Sequence, residues 1–311
     1  MLEQSPIPKQ QPHWRLSDSR SLTLDRPRLM AILNVTPDSF SDGGRYPTLG
    51  DAVRAAEAAL ADGADLIDVG PESTRPGSRP VDAAEQIRRA APVIGAIRRS
   101  LGDAFPITID TTLEPVARAS LDAGADAIND VSAGRDHDAL FELAAERRCG
   151  IILMHRLRHA AGDSLSTAYA QPPRYAGSAG VVGAVRAFLH ERARIAVASG
   201  VGREGIAIDP GLGFGKSVED NLALIARTRE LTTLGFPVVS GISRKSFTAR
   251  AAGLPDDTPP EARAIATVGL SVAHLLAGAA IFRVHDVRIH AQALPAAHAS
   301  MLQAARAPRH P

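Results

Sequence analysis

The chain has 311 residues, a formal net charge of +1, 26 glycines, one cysteine and 4% aromatic residues. That length suits a single barrel domain of about 250 residues with no second domain. A charge so near neutrality excludes a general affinity for nucleic acid or membrane surfaces, and one cysteine excludes an intrachain disulfide or a cysteine-based metal cluster.

The first 27 residues, MLEQSPIPKQQPHWRLSDSRSLTLDRP, are polar and lack the apolar core of a secretory signal. They read as a flexible N-terminal extension, with SLTLD a candidate short strand over the bottom of a barrel. A strand over 28–34 ends at Asn34 and opens into TPDSFSDGGRYPTLG, a Ser/Asp/Gly-rich stretch of the kind that forms lids and ligand loops. A helix over 50–62 follows, with Val53, Ala56 and Leu60 at helical spacing. The strand at 64–69 passes through Asp68 into GPESTRPGSRPVD, whose prolines and glycines impose a shaped turn.

A helix over 82–100 then leads to a strand at 105–110, stopping at Asp110. A helix at 114–123 leads to a strand at 126–129, and a helix at 136–147 to a strand at 150–154, which reaches Met154 and His155. After a loop over 156–176 and a helix over 178–200, the strand 205–209 opens onto DPGLGFGKS. A helix at 218–230, a strand at 237–241, a loop at 243–260 and an Ala-rich helix at 260–277 precede the strand 279–284. The final helix spans 288–304, and 305–311 reads as a frayed tail. ADGADLIDVG, LDAGADAINDVS and LLAGAAIFRVHD form a weak internal repeat, each a helix end, a glycine turn and a strand.

Eight apolar runs with helices between them, most ending in polar side chains, predict a (β/α)8 TIM barrel over 28–304 whose chemistry sits at the strand ends. An open doubly wound sheet is the rival, but it would not place candidate ligands on nearly every strand. No apolar run approaches the roughly 18–20 residues of a membrane span. Cys149, ahead of IILM, reads as an inert core thiol compatible with a reducing, cytoplasmic setting. Lysine is scarce (Lys9, Lys216 and Lys245), which draws notice to the two inside the barrel.

Asp110, Asn129 and Asp209 end strands three, four and six, where carboxylates accept and an amide both donates and accepts hydrogen bonds. Strand-end Asp and Asn also cap turns, a role open to any one of them alone. Arg283 and His285 lie two apart near the end of strand eight, on one side, where barrels often bind phosphate. GLGFGK at 211–216 fails as a phosphate loop, because three residues rather than four separate Gly211 from the Gly-Lys pair. His137, His159, His190 and His290 read as surface or helix residues, with no zinc-like spacing.

In register along the chain, ILNVTPDSFSDGG, ESTRPG at 72–77, ITIDT ending at Thr111, AINDVS, IDPGLGFGK, GISRKSF and FRVHD resemble the dihydropteroate synthase family over about 28–304. The resemblance implies a barrel enzyme that condenses 4-aminobenzoate with (7,8-dihydropterin-6-yl)methyl diphosphate, uses Mg2+, is a cytoplasmic homodimer and is inhibited by sulfonamides. It implies catalytic duties for Asp110, Asp209, Lys245, Arg75 and Asp42, and a pterin site of Asp110, Asn129, Met154, Asp209, Phe214 and Lys245. Phe40, Thr74, Arg75, Pro76 and Ser243 would shape the 4-aminobenzoate pocket, with Asp38 in the same first loop. Asn34, Arg75, Arg283 and His285 would hold diphosphate, and Asn34 would approach the metal.

Three departures from the family pattern stand out. Pro71 replaces a glycine, TLEPVA lacks the common Lys-Pro-Glu order, and RLRHAAGDSL follows His155 in place of the usual continuation. Two rivals share the pterin pocket: a non-catalytic or regulatory paralogue, which Pro71 keeps open, and a methyltetrahydrofolate:corrinoid methyltransferase, which the ESTRPG, SRK and RVH segments disfavour.

Overall fold

The computed structural model describes residues 12–36, 48–103, 105–175 and 179–306. The chain enters through a two-stranded antiparallel hairpin, β1 (His13–Arg15) and β2 (Ser21–Thr23). It continues through β3 (Arg28–Asn34), α1 (Leu49–Ala61), β4 (Leu66–Gly70), α2 (Ala83–Leu101), β5 (Ile107–Asp110), α3 (Glu114–Asp122), β6 (Ala127–Asp130) and α4 (Ala139–Glu146). Then come β7 (Gly150–Met154), α5 (Gly180–Ala198), β8 (Ile206–Asp209), α6 (Val218–Ala226), α7 (Thr228–Thr232) and β9 (Val239–Ser240). The last elements are α8 (Ser246–Ala251), α9 (Ala264–Leu276), β10 (Ile281–Val284) and α10 (Val287–Arg306).

The eight strands from β3 onward are parallel, in the spatial order β8-β7-β6-β5-β4-β3-β10-β9. A parallel bridge between Ile208 and Val238, with Ile208 N–H donating to the Pro237 carbonyl at 2.9 Å, joins the two remaining edges and closes the barrel. Each strand is covered on both faces, which is why the runs are short and nearly continuous in apolar residues. Side chains alternate along each strand. Ile67, Val69, Ile109 and Ile128 pack outward against the helices. Met30, Leu66, Ala127, Ile152, Ala207, Val239 and Ile281 fill the lower interior.

The N-terminal segment departs from the loose extension expected over 1–27. Over 12–27 it is a plug: Trp14 and Leu16 are fully buried and join the lower interior cluster with Leu22. The Trp14 indole N–H donates to the Gly205 carbonyl at 2.8 Å, and Leu16 accepts from Gly150 N–H at 2.9 Å. Burying one Trp contributes up to about 4–6 kcal/mol. The barrel bottom would otherwise expose apolar side chains, and this hairpin covers it.

Two helical boundaries also differ from expectation. The helix read over 218–230 breaks at Arg227, where the Thr228 hydroxyl donates to the Leu224 and Ile225 carbonyls at 2.7 and 3.0 Å and tightens the chain. The loop read over 243–260 contains α8, too short to show a period in the sequence, and α9 starts only after a 3-10 turn at Pro260–Arg263. Among the described residues no helix is long and apolar enough to cross a membrane.

Candidate active site

The strand ends converge in a polar floor built around one fully buried carboxylate. Asp68 of β4 accepts from Arg283 Nε at 2.6 Å, from Asn129 Nδ2 at 2.9 Å and from the Thr108 hydroxyl. Arg283 reaches as far as the third strand along from its own, β5, its Nη2 donating to Asp110 at 2.7 Å. Burial pushes the Asp110 carboxyl up, to about 7, with the Arg283 guanidinium pulling it back and the Asp68 charge adding to the rise. Asp110, Asn129 and Arg283 are therefore brought together as the sequence suggested. Arg283 differs in one respect: two of its nitrogens are already committed to carboxylates, so only the rest of its guanidinium is available to an anion.

Asp209 and Lys245 face each other across Gly241. A Cβ at Gly241 would lie 3.3 Å from Asp209 Oδ2 and 3.7 Å from Lys245 Nζ, so a side chain there would crowd both. Burial raises the Asp209 pKa, opposed by Lys245, and Asp209 Oδ1 also takes Gly211 N–H at 2.6 Å. Burial depresses the Lys245 ammonium to about 7, against the attraction of Asp209. Its Nζ donates to the Leu212 carbonyl and stands 4.2 Å from the centroid of the Phe214 ring, a cation–π contact. Gly213, at φ +83°, is needed here: a Cβ would sit 2.7 Å from Lys245 Cδ. Phe214, Met154 and Val131 form a separate apolar cluster, so the two apolar residues of the implied pterin site adjoin.

Ser243 and His285 are joined twice. Ser243 Oγ accepts from His285 N–H at 3.0 Å and lies 2.9 Å from His285 Nδ1. Because the oxygen already accepts the amide proton, its hydroxyl is free to donate to Nδ1, which would place the ring hydrogen on Nε2. Burial, with Arg244 and Arg283 nearby, pulls the imidazole down to about 3, so it is neutral. Arg244 holds positive φ (58°) and grips Asp286 through two bonds of 3.0 and 2.6 Å, fixing the strand end that carries His285.

One cavity of about 950 Å³ gathers the upper residues: Asn34 at the end of β3, Ser243 and Lys245 after β9, Arg283 and His285 of the β10 end, and Phe214. The second loop contributes Thr74, Arg75 and Pro76 to the same cavity. Asp110 opens instead, with Thr74 and Phe214, into a smaller neighbouring space of about 30 Å³. Asn129, Met154 and Asp209 are buried beneath these openings. Asp38, Phe40 and Asp42 lie outside the described residues.

Pro71 sits at none of the positive-φ positions, and its carbonyl is held by Arg89 Nη1 at 3.0 Å. The loop therefore starts in a backbone that proline tolerates. Glu72 ties the same loop to α2, accepting from Val81 N–H at 3.1 Å and Gln86 Nε2 at 2.8 Å.

Three polar groups were given no role in the site by the sequence reading. Asp68 looked like one more strand residue, and Asp163 lay in a loop without periodicity. Lys216, fully buried, donates to the Gly211 and Phe214 carbonyls at 2.8 and 2.9 Å and lies 3.0 Å from His155 Nδ1. Burial draws Lys216 down to about 7 and His155 to about 2. The scarcity of lysine was the available signal for it. His290, read as a surface or helix residue, lies in helix α10 but is buried, its Nδ1 2.7 Å from the Asp286 carbonyl and its Nε2 3.3 Å from Ser271 Oγ, where it fastens α10 to α9.

Among the described residues no group of three or more His, Cys, Asp or Glu is placed to hold a metal ion. Asn34 offers one amide oxygen at the cavity wall, with Gly70 leaving it room (a Cβ there would be 3.2 Å away). A single hard oxygen fits Mg2+ that takes its other ligands from phosphate and water, not a metal held by protein alone.

The profile of the pterin binding enzyme family matches residues 30–285. The dihydropteroate synthase of Streptococcus pyogenes serotype M3 is 44% identical over 260 residues, 84% of this chain and 90% of that one. The Xanthomonas albilineans dihydropteroate synthase solved with 4-aminobenzoic acid superposes with a TM-score of 0.82 at 39% identity, covering 93% of this chain and 98% of that one. The same enzyme in complex with 7,8-dihydropteroate gives a TM-score of 0.78 at 36% identity, covering 93% and 99%.

Proposed function

The chain belongs to the pterin-binding enzyme family, and within it to the dihydropteroate synthases, and from that premise we propose that it joins (7,8-dihydropterin-6-yl)methyl diphosphate to 4-aminobenzoate, releasing diphosphate. The observation that carries this reading is the single cavity in which anion donors (Arg75, Arg283 and His285) share walls with Lys245, Phe214 and Ser243 above a buried floor of Asp110, Asn129 and Asp209. A pterin edge needs such acceptors and donors, and a diphosphate needs such cations.

In the reaction the methylene carbon–oxygen bond breaks, and its electron pair leaves with diphosphate. The positive charge left on the methylene spreads into the pterin ring, where the fixed Asp209 carboxylate favours it without solvent having to reorganise. Asp110 and Asn129 accept and donate along the ring edge, and Lys245 gives up the Leu212 carbonyl to bond the ring. Neutral His285, with hydrogen on Nε2, and the free edge of Arg283 bond the departing phosphate oxygens. The amine nitrogen of 4-aminobenzoate forms the new carbon–nitrogen bond and then loses a proton to the departing phosphate or to solvent. Thr74, Arg75 and Pro76 close one side of the cleft, keeping water from capturing the methylene. No covalent enzyme intermediate is needed.

Mg2+ fits this scheme with Asn34 as its protein ligand, and when bound it would neutralise charge on the diphosphate. A cytoplasmic homodimer is the form we assign. The free, buried Cys149 thiol supports the compartment. The exposed Ile265 (80%) and Leu276 (48%) of α9 support a covered apolar face.

The test is product formation. Purified protein with Mg2+ and both substrates is expected to form 7,8-dihydropteroate by mass spectrometry, and K245M to form it at least about 100-fold more slowly. Pterin binding with no product would assign the chain to a non-catalytic role.

A further inference from the structure

We infer that Asp163, in the segment after β7 that is one of the three departures from the family pattern, is a positioning residue for the pterin wall. The inference rests on the reaction proposed above.

The 211–215 loop carries Phe214 into the cleft but has no regular secondary structure to satisfy its backbone. Apart from Phe214 N–H, which donates to the Gly211 carbonyl at 3.1 Å, its glycine amides are taken by side chains. Gly211 N–H goes to Asp209, and Gly213 N–H to Asn221 Oδ1 at 2.6 Å. The Gly215 carbonyl accepts from the Tyr175 hydroxyl at 2.6 Å, and Gly215 N–H donates to Asp163 Oδ2 at 2.7 Å. A buried amide left without an acceptor is costly, so each grip is a constraint on where the loop can sit.

Asp163 alone among these acceptors belongs to the strap between β7 and α5 and is itself 8% exposed. Its other oxygen takes the Tyr169 hydroxyl at 2.5 Å and Ser164 N–H at 2.9 Å. Three donors thus converge on one carboxylate, a set that only an acceptor with no hydrogen of its own can satisfy fully. The strap also presses directly on the loop: a Cβ at Gly215 (φ +66°) would fall 2.3 Å from Leu157 Cβ. Three residues before Asp163, the Ala160 carbonyl takes Gly77 N–H at 2.9 Å, next to the loop that bears Thr74, Arg75 and Pro76. The strap therefore spans both substrate loops, and Asp163 is its hold on the pterin side.

Steady-state kinetics of the full chain with both substrates, for wild type, D163A, D163N and Y169F, tests this. D163A frees the Gly215 amide and is expected to raise the KM for the pterin diphosphate about 10-fold or more, with the 4-aminobenzoate KM within about 2-fold. D163N keeps one oxygen for Gly215 and turns its amino group to the Tyr169 oxygen, so it should restore most of the loss. Y169F removes one of the three donors and should raise the pterin KM about 3-fold. A pterin KM unchanged in D163A, or both KM values moving together, overturns the inference. If D163A does not fold, Y169F decides, and an unaltered pterin KM there overturns it. Wild-type protein that makes no dihydropteroate overturns the reaction and the inference with it, whereas normal wild-type turnover with an unaltered D163A overturns the inference alone.

Discussion

Replacing Asp68 with asparagine (D68N) removes the anion that three donors share at the floor of the barrel mouth. In the wild type its fully buried carboxylate takes the partly buried Arg283 at 2.6 Å, the buried Asn129 at 2.9 Å and the buried Thr108 hydroxyl. An asparagine offers one oxygen and must turn an amino group toward at least one of those donors. Breaking a buried ion pair costs about 3–5 kcal/mol, and Arg283 keeps its second carboxylate at Asp110, which puts the expected loss near about 3 kcal/mol. For a domain of this size that lowers Tm by about 5 °C. A second effect has a definite sign. The Asp68 charge helps to raise the Asp110 pKa, so its removal lets Asp110 ionise at lower pH. If ionised Asp110 is the pterin acceptor, the acid limb of kcat/KM moves to lower pH in D68N. Chemical denaturation at pH 7 with a pH profile of kcat/KM measures both. A stability loss under about 1 kcal/mol, or an acid limb that stays put or moves up, would refute the account of this floor.

K245M should stabilise the fold while abolishing most activity. Burial depresses the Lys245 pKa to about 7, so the cost of holding the ammonium is full below that pH and fades toward 10.5. The advantage of the variant should therefore shrink as pH rises from about 7 toward 10.5, while the Asp209 carboxyl, already raised by burial, loses the cation that opposed the rise. An advantage that grows with pH would contradict the assignment. G213A forces a Cβ against Lys245 Cδ at a positive-φ position and should cost about 1–2 kcal/mol in stability, with a raised pterin KM; an unaffected KM would show that Lys245 need not be held there. W14A should cost about 3–5 kcal/mol by denaturation yet leave kcat within about 2-fold, since the plug lies at the opposite end of the barrel from the chemistry. A large loss of kcat in the folded variant would mean that the two ends are coupled.

The barrel was legible because parallel strands covered on both faces write themselves as short apolar runs, and their polar terminators mark the mouth. Asp110, Asn129, Asp209, Lys245, Arg283 and His285 were found that way, and the cavity and its floor bring them together. Arg283 was read as an anion ligand alone because sequence spacing shows which way a strand end points, not what already occupies its donors. Asp68 stayed hidden for the same reason: its partners lie on three other strands. The strand at SLTLD was legible, and β2 at Ser21–Thr23 lies in the plug, but the burial of Trp14 was missed because it carries little local period; only closing the barrel creates the apolar surface that it covers. Asp163 and Lys216 serve an irregular loop, and the hydrogen bonds of irregular backbone follow tertiary position.

The central claim is that this cleft couples diphosphate departure to capture by an aromatic amine. Its most direct test is diphosphate release from the dihydropterin methyl diphosphate with Mg2+, measured with and without 4-aminobenzoate. The account predicts release that depends on the amine and matches the dihydropteroate formed mole for mole. Release at the same rate without the amine, or none in either case, would contradict it.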